Sequence, residues 1–142
     1  MPAATLYTVH DVHFLELPRF TRADGEIVVA QATHIPFAIT RMFTLTAPIG
    51  SVRGDHAHRH CTQFMLCVNG AVEIVCDDSQ DRKTFILDRN NFAVCVPPTI
   101  WNKLIFKEDS SVVIVLCDRP FEETDYLREY PEFVSFRKLA QE

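Results

Sequence analysis

An all-β fold is the prediction for this sequence, and three observations favour it. Ten short segments are rich in β-branched and aromatic residues, and each is about 5 to 9 residues long, as strands usually are. The Asn69–Gly70 pair separates two of them and is typical of a two-residue hairpin. A helical pattern is indicated only after Pro120. With 142 residues, the chain is long enough for one domain, spanning residues 1–142, with its own core.

The predicted strands follow one another at short intervals, so the core of the domain is expected within about residues 13–118. Asp77–Asp81 is predicted as a polar turn. Pro97 and Pro98 are expected in a loop or at a strand edge, because proline cannot donate a ladder hydrogen bond. The predicted strands are His13–Leu17, Glu26–Gln31, Ala38–Thr46, Ser51–Arg59, Thr62–Val68, Ala71–Asp77, Arg82–Leu87, Phe92–Val96, Asn102–Phe106 and Ser111–Cys117.

Residues 121–139 are predicted to form a short C-terminal helical segment. Thr124 is a suitable cap for a first helix that includes Asp125–Tyr130. Pro131 would end that helix, because proline in a helix interior removes a hydrogen bond and clashes with the preceding turn. A second helical stretch is predicted around Phe133–Leu139.

The composition narrows the possible partners and location. The net charge of −5 argues against broad binding to nucleic acid or to an anionic membrane. No apolar run is long enough to cross a bilayer and no signal peptide opens the chain, so a cytoplasmic protein is expected. The five cysteines are odd in number and have no CxxC spacing, which favours buried, reduced thiols. They are Cys61, Cys67, Cys76, Cys95 and Cys117.

One stretch has the spacing of a metal-binding motif in which a ligand is replaced. Gly50 is followed after five residues by His56 and then by His58, and Gly70 closes the stretch. These spacings match the first signature of the cupin β-barrel, in which an acid stands where this chain has Gln63. The match predicts a cupin jelly-roll barrel with an altered site.

The second cupin signature, aligned on Pro97, shows the same kind of replacement. Its two glycines become Asn91 and Thr99, and its histidine becomes Asn102. Two neutral amides, Gln63 and Asn102, therefore stand where a divalent cation would prefer a carboxylate and an imidazole. The sequence predicts that the barrel is kept, without a metal or another cofactor.

The two remaining histidines can act as a proton-transfer pair. Residues two apart in a strand share a face, so His56 and His58 should point into the barrel together. An ordinary imidazole pKa of about 6.5 makes both protonation states accessible near neutral pH, as general acid–base catalysis requires. A vestigial metal site or a pair of structural histidines are the alternatives.

Five further residues are predicted to bind substrate. Arg41 and Arg53 carry guanidinium groups that match phosphate geometry, although a surface ion pair is the alternative for each. Trp101 is the only tryptophan, and it either stacks on a base or sugar or closes the barrel end. Gln63 and Asn102 complete the set.

Several segments together resemble the WxcM-like nucleotide-sugar 3,4-ketoisomerases. Arg53–Arg59 resembles their RGxHAHK segment, and Val96–Trp101 resembles their VPPxxW turn. Asp125–Phe133 resembles their DYIRDYxEF segment, and Pro36–Phe43 resembles the strand that leads into the histidine motif. The resemblance extends from about His13 to Phe136.

The resemblance implies a small metal-free cupin, a homodimer, that acts on dTDP-4-keto-6-deoxy-glucose. Such enzymes move the keto group from C4 to C3 in deoxysugar biosynthesis for surface polysaccharide. The family's catalytic histidines correspond to His56 and His58, and its motif arginine to Arg53. In the family pattern a strand tyrosine often reaches the sugar, and here Thr44 stands in that strand instead. The mechanism we expect is tautomerisation through an enediol, with His56 as the base that removes the C3 proton.

Three other functions stay open from the sequence. One is a 3,5-epimerase-like cupin acting on the same sugar nucleotide. Another is a cupin that binds a sugar nucleotide without catalysis, which the missing strand tyrosine favours. The third is a metal-dependent oxygenase in which His56, His58 and Gln63 hold a weakly bound ion.

Overall fold

In a computed structural model that describes residues 5–141, the chain forms twelve strands and one C-terminal α-helix. Helix α1 covers Tyr130–Ala140, and 3-10 turns cover Val9–Asp11 and Glu123–Asp125. The strands are β1 His13–Glu16, β2 Arg19–Arg22, β3 Gly25–Val28, β4 Arg41–Thr46, β5 Val52–His58, β6 Gln63–Asn69, β7 Val72–Asp77, β8 Arg82–Leu87, β9 Phe92–Val96, β10 Trp101–Phe106, β11 Val112–Cys117 and β12 Tyr126–Leu127.

Two five-stranded antiparallel sheets face each other and enclose the main core. The first has the strand order β1-β9-β6-β11-β4 and the second the order β12-β5-β10-β7-β8. Met65 and Val113 of the first sheet and Ile74 and Leu104 of the second lie in one buried apolar cluster. Each such side chain stabilises the fold by about 1.5–3 kcal/mol through burial. The predicted all-β jelly-roll architecture is confirmed.

The observed strands follow the predicted ones closely from β4 to β11, but the N-terminal region differs. The sequence predicts one strand here, Glu26–Gln31, and the structure has the shorter strand β3 at this place. Strand β3 pairs antiparallel with β2, a strand that the sequence pattern did not indicate. All four residues of β2 are exposed, so the segment carries no alternation of apolar and polar residues. The β2–β3 hairpin forms its own small sheet.

The prediction of a hairpin at Asn69–Gly70 is wrong. Strands β6 and β7 belong to different sheets, and the turn between them is a corner at which the chain crosses from one sheet to the other. Gly70 has φ of +80°, and a Cβ at this position would lie 2.3 Å from Ser111 Oγ. Glycine is therefore required by the corner and by the close approach of Ser111.

The C-terminal segment also departs from the predicted pair of helices. Residues Tyr126 and Leu127 form strand β12 beside β5, where a helix was expected. Leu127 is fully buried opposite Ala57, so packing against the barrel overrides local helix propensity. Pro131 lies in the first turn of α1 and does not break a helix, because the first-turn N–H groups have no partner within the helix.

Helix α1 covers the outer face of the second sheet. Phe133 of the helix packs with Ala57, Trp101 and Leu127 in a separate buried cluster. Since Ala57 faces outward, its neighbours in β5, His56 and His58, face the space between the sheets. Among residues 5–141, no helix is long and apolar enough to cross a membrane. All five cysteines are buried, as predicted.

Candidate active site

A cavity of about 490 Å³ opens between the two sheets. Five of the predicted site residues contribute to its wall, namely Arg41, Arg53, His56, Gln63 and Asn102. Apolar side chains cover part of the remaining wall, and they include Phe43, Leu45, Met65, Leu104 and Val115. Such a mixture of apolar walls and a few polar groups is typical of a small-molecule site.

A β-bulge brings Arg53 and His56 to the same side of strand β5. Residues three apart in a regular strand face opposite ways, but here His56 is opposite Asn102 while Arg53 is opposite Leu104, with a register shift between. Asp55 is the additional residue and has φ of +60°, which is uncommon for a residue with a side chain. The bulge therefore lets both the arginine and the histidine face the cavity.

His58 is held in one tautomer by Asp125. The two side chains are buried, and His58 Nδ1 lies 2.8 Å from Asp125 Oδ2. A carboxylate only accepts hydrogen bonds, so Nδ1 carries the proton and Nε2 keeps its lone pair. The other carboxylate oxygen, Oδ1, accepts a hydrogen bond of 2.6 Å from the backbone N–H of His60. Within residues 5–141, His58 Nε2 has no hydrogen-bond partner, so it is a buried proton acceptor.

His56 and Tyr126 complete an aromatic cluster with His58. The ring centroids of His56 and His58 are 5.0 Å apart, and Tyr126 lies 5.0 Å from His56 and 4.4 Å from His58. Burial lowers the pKa of His56 to about 4, and the neighbouring His58 adds to this effect. Burial also lowers the pKa of His58, against the hydrogen bond to Asp125. His56 is therefore neutral at physiological pH and able to accept a proton.

Three arginines give the cavity a cationic wall. Arg41 donates to the Tyr126 hydroxyl at 3.5 Å and to Cys117 Sγ at 3.6 Å. Arg128 makes two hydrogen bonds to Glu123, of 2.7 and 2.9 Å, and stacks over the Tyr126 ring at 4.3 Å. Arg53 is exposed and lines the cavity, which places it at the mouth. Guanidinium groups in this arrangement suit a phosphate or diphosphate ligand.

Comparison with known proteins shows to which family the chain belongs. The family model described as "FdtA: WxcM-like, C-terminal" matches residues 10–138. The chain belongs to this family. The resemblance seen in the sequence is thus confirmed, and the family model covers nearly the whole of this chain.

Characterised relatives of this WxcM-like protein are sugar isomerases. The chain is 29% identical over 111 residues to a TDP-4-oxo-6-deoxy-alpha-D-glucose-3,4-oxoisomerase from Aneurinibacillus thermoaerophilus, covering 78% of this chain and 80% of that one. A 3,4-ketoisomerase structure from Helicobacter canadensis has a TM-score of 0.85 at 25% identity, covering 90% and 98% of the two chains. A ketoisomerase from Thermoanaerobacterium thermosaccharolyticum, a histidine-to-asparagine variant in complex with TDP-4-keto-6-deoxyglucose, shares the fold with a TM-score of 0.87 at 23% identity, covering 92% and 96%.

The cavity of this WxcM-like protein does not present a good metal site at the positions used by metal-binding cupins. Those positions hold His56, His58, Gln63 and Asn102. Gln63 and Asn102 are neutral oxygen donors that bind divalent cations weakly, and they stand where metal-binding cupins have a carboxylate and an imidazole. The residues therefore fit proton transfer better than metal coordination.

Two predicted site residues do not line the cavity: His58 is buried beside His56, and Trp101 lies on the outer face of the second sheet. Its indole N–H donates to Asp55 at 2.9 Å, and its ring packs against Tyr130 and Phe133 on the outer face of the second sheet. Strand alternation explains this position, because Trp101 precedes the inward-facing Asn102. Trp101 thus joins α1 to the sheet and anchors the bulged residue Asp55.

Three residues of the site were missed from the sequence, namely Asp125, Tyr126 and Arg128. They lie in the segment that resembles DYIRDYxEF, so the resemblance drew attention to them without indicating their roles. The prediction of a helix assigned this segment to packing on the outside of the barrel. As an extended segment beside β5, it instead places the carboxylate behind His58 and the phenol and guanidinium at the cavity. Thr44 of β4 is exposed and is not among the residues that line the cavity, whereas Tyr126 lines it.

Proposed function

We propose that this protein is a nucleotide-sugar 3,4-ketoisomerase that moves the keto group of dTDP-4-keto-6-deoxy-glucose from C4 to C3. The observation that carries the proposal is the pair His56 and His58, with His58 fixed by Asp125, beside a cavity with a cationic wall. The relative from Aneurinibacillus thermoaerophilus is a 3,4-oxoisomerase of this sugar nucleotide, and the structure from Thermoanaerobacterium thermosaccharolyticum contains TDP-4-keto-6-deoxyglucose, which supports the proposal. This arrangement suits acid–base catalysis on a keto sugar.

The cavity matches the two ends of such a substrate. Arg53 at the mouth binds the diphosphate, together with Arg128, because bidentate guanidinium–phosphate contacts combine charge with fixed geometry. Gln63 and Asn102 are almost fully buried and offer amide groups to sugar hydroxyls. The apolar wall of Met65, Leu104 and Val115 suits the C6 methyl group of a 6-deoxy sugar.

The reaction is a tautomerisation in which no atom is gained or lost. The C4 carbonyl acidifies the proton on C3, and His56 removes that proton as O4 gains one, which gives an enediol. The O3 proton then leaves as C4 is protonated, so the C3–H bond is replaced by a C4–H bond and the carbonyl is at C3. Arg41 and the Tyr126 hydroxyl stabilise the charge that develops on the oxygens.

His58 and Asp125 assist the proton transfer at His56. The buried lone pair on His58 Nε2 makes the second imidazole a proton acceptor beside the first. Asp125 stabilises the imidazolium that forms when His58 takes up a proton. Proton transfer between C3, C4 and their oxygens then needs no metal or other cofactor.

The state of assembly and the location remain predictions. A homodimer is proposed from the resemblance to the family, and a single domain over residues 1–142 is proposed from the length of the chain. A cytoplasmic location is proposed from the five free, buried cysteines, since reduced thiols are typical of cytosolic proteins.

The direct test is incubation of the protein with dTDP-4-keto-6-deoxy-glucose, followed by NMR of the sugar. We expect a 3-keto product. An epimerised 4-keto sugar would instead indicate a 3,5-epimerase, and thermal stabilisation by the nucleotide sugar without any new sugar would indicate a binding protein; either result contradicts the proposal.

A matched pair of variants tests the diphosphate site in the same assay. Arg53→Met should raise KM by about 10-fold or more, since a hydrogen bond to a charged group contributes about 1.5–3 kcal/mol. Arg22→Met, in the exposed β2 strand, is the control and should leave KM unchanged. Equal KM values for the two variants would contradict the role of Arg53.

A further inference from the structure

A group of three possible metal ligands lies beside His56 and includes His58. One donor atom each from His58, Cys61 and Asp125 lies within 4.8 Å of the other two, and all three residues are buried. None of the three is among the residues that line the cavity. This cluster also differs from the positions used by metal-binding cupins, because it shares only His58 with them.

The three side chains of the cluster offer one imidazole, one carboxylate and one thiol. These are donor types that bind Zn²⁺ in proteins, and the thiol favours thiophilic cations over Mg²⁺ or Ca²⁺. A tetrahedral zinc site with three protein ligands is completed by a water molecule.

We propose that His58, Cys61 and Asp125 bind a thiophilic divalent cation such as Zn²⁺, with a water molecule as the fourth ligand, and that binding inhibits the enzyme. Zinc bonds of about 2.0–2.3 Å place tetrahedral donors about 3.3–3.8 Å apart. The spacing in the cluster is within 4.8 Å, so shifts of about 1 Å in side chains suffice to close a site.

Inhibition follows because the cation binds both His58 and Asp125, so the carboxylate no longer holds the histidine. Coordination separates His58 Nδ1 from Asp125 Oδ2, which are 2.8 Å apart in the metal-free protein. The cation also displaces the proton from the Cys61 thiol, so binding releases protons and strengthens as the pH rises. The inhibitory effect rests on the proposed isomerase function, whereas the cation site itself does not.

The location of the cluster predicts the kinetics of inhibition. The cation does not occupy the sugar cavity, so inhibition is not relieved by excess nucleotide sugar. His58 and Cys61 are each 2% exposed, so entry requires a local opening. Strand β12 is two residues long and pairs with β5 through Tyr126 and Leu127; its separation from β5 would uncover the cluster, and inhibition should therefore develop slowly.

Cobalt titration of the purified protein under reducing conditions tests the site without an activity assay. Co²⁺ bound by a thiolate gives a near-ultraviolet charge-transfer band, which wild type should show at one equivalent and which Zn²⁺ should abolish. Cys61→Ser should lose the band and weaken Zn²⁺ binding at least 10-fold. Cys95→Ser is the matched control, because Cys95 is also a buried, free thiol, and it should keep the band.

Activity measurements complete the test and separate it from the proposed function. Zn²⁺ should inhibit wild type and Cys95→Ser at concentrations at least 10-fold below those needed for Cys61→Ser. No band in wild type, or an unchanged band in a folded Cys61→Ser variant, would overturn the proposal. Cation binding without a thiolate band, abolished by His56→Asn, would place the ion in the cavity and would also overturn it. A thiolate band in a protein with no isomerase activity would support the site and contradict the proposed function.

Discussion

Replacement of Asp125 by Asn changes the tautomer of His58 with little change in shape. The carboxylate accepts hydrogen bonds from His58 Nδ1 at 2.8 Å and from the His60 backbone N–H at 2.6 Å. In Asp125→Asn, the amide oxygen keeps the contact with His60, and the amide NH₂ faces His58. Nδ1 must then accept a hydrogen bond, so the proton moves to Nε2 and the buried lone pair is lost.

The magnitude follows from the role of the carboxylate. The same substitution behind the catalytic histidine of serine proteases lowers kcat by about 10⁴. Here His56 still lines the cavity, so we expect kcat to fall by about 10²–10⁴, the usual contribution of one positioned acid–base group. Two hydrogen bonds change from charged to neutral, so the free energy of unfolding should fall by about 2 kcal/mol. The protein should remain folded.

The assay is turnover of dTDP-4-keto-6-deoxy-glucose by NMR, with thermal unfolding measured on the same samples. Asp118→Asn is the matched control, because Asp118 Oδ1 accepts from the Thr62 backbone N–H at 3.0 Å but does not contact a histidine. It should retain turnover within about threefold of wild type. If a folded Asp125→Asn variant is as active as Asp118→Asn, Asp125 does not support catalysis through His58.

Three other predictions concern the residues around His58. His56→Asn should lower kcat by about 10²–10⁴ and leave the thermal midpoint close to that of wild type, because the side chain acts as the base; wild-type turnover would refute this role. Tyr126→Phe should lower kcat about 10-fold or more, since it removes the hydroxyl that Arg41 contacts at 3.5 Å while the ring contacts remain; an effect on KM alone would contradict a role in the transition state. The folded-state pKa of His56 is about 4, below the ordinary 6.5, so the unfolded chain binds a proton first as the pH falls. The stability from neutral His56 is complete above pH 6.5 and is lost towards pH 4, by about 2 kcal/mol between pH 6.5 and 5. Urea unfolding at these two pH values should show a smaller loss for His56→Asn than for wild type, and equal losses would refute the pKa assignment.

The strands of the barrel were predictable because their signals are local. Phe92–Val96, for example, is continuously apolar, and turn residues bound it on both sides. The C-terminal segment was not predictable in this way, because Leu127 is in a strand only through its pairing with β5. The corner at Gly70 is similar: a turn at Asn69–Gly70 was predictable from local sequence, but the sheet to which the next strand belongs depends on long-range pairing.

The direction in which a site residue points was predictable where strand alternation alone determines it. His56, Arg41 and Gln63 face the cavity as expected, and Trp101 faces away because it is one residue from Asn102. The bulge at Asp55 could not be read from the pattern, although it decides that Arg53 faces inward. The partner of His58 was also hidden, since Asp125 is 67 residues away along the chain.

The central claim is that the C3 proton is removed and C4 is protonated, with exchange of the proton with solvent and without involvement of C5. The reaction in D₂O tests it most directly. The NMR spectrum locates deuterium in both the product and the recovered substrate. Ketoisomerisation predicts deuterium at C4 of the 3-keto product and at C3 of the recovered 4-keto sugar, with C5 unlabelled. Deuterium at C5, or label at C3 without any 3-keto product, would contradict it.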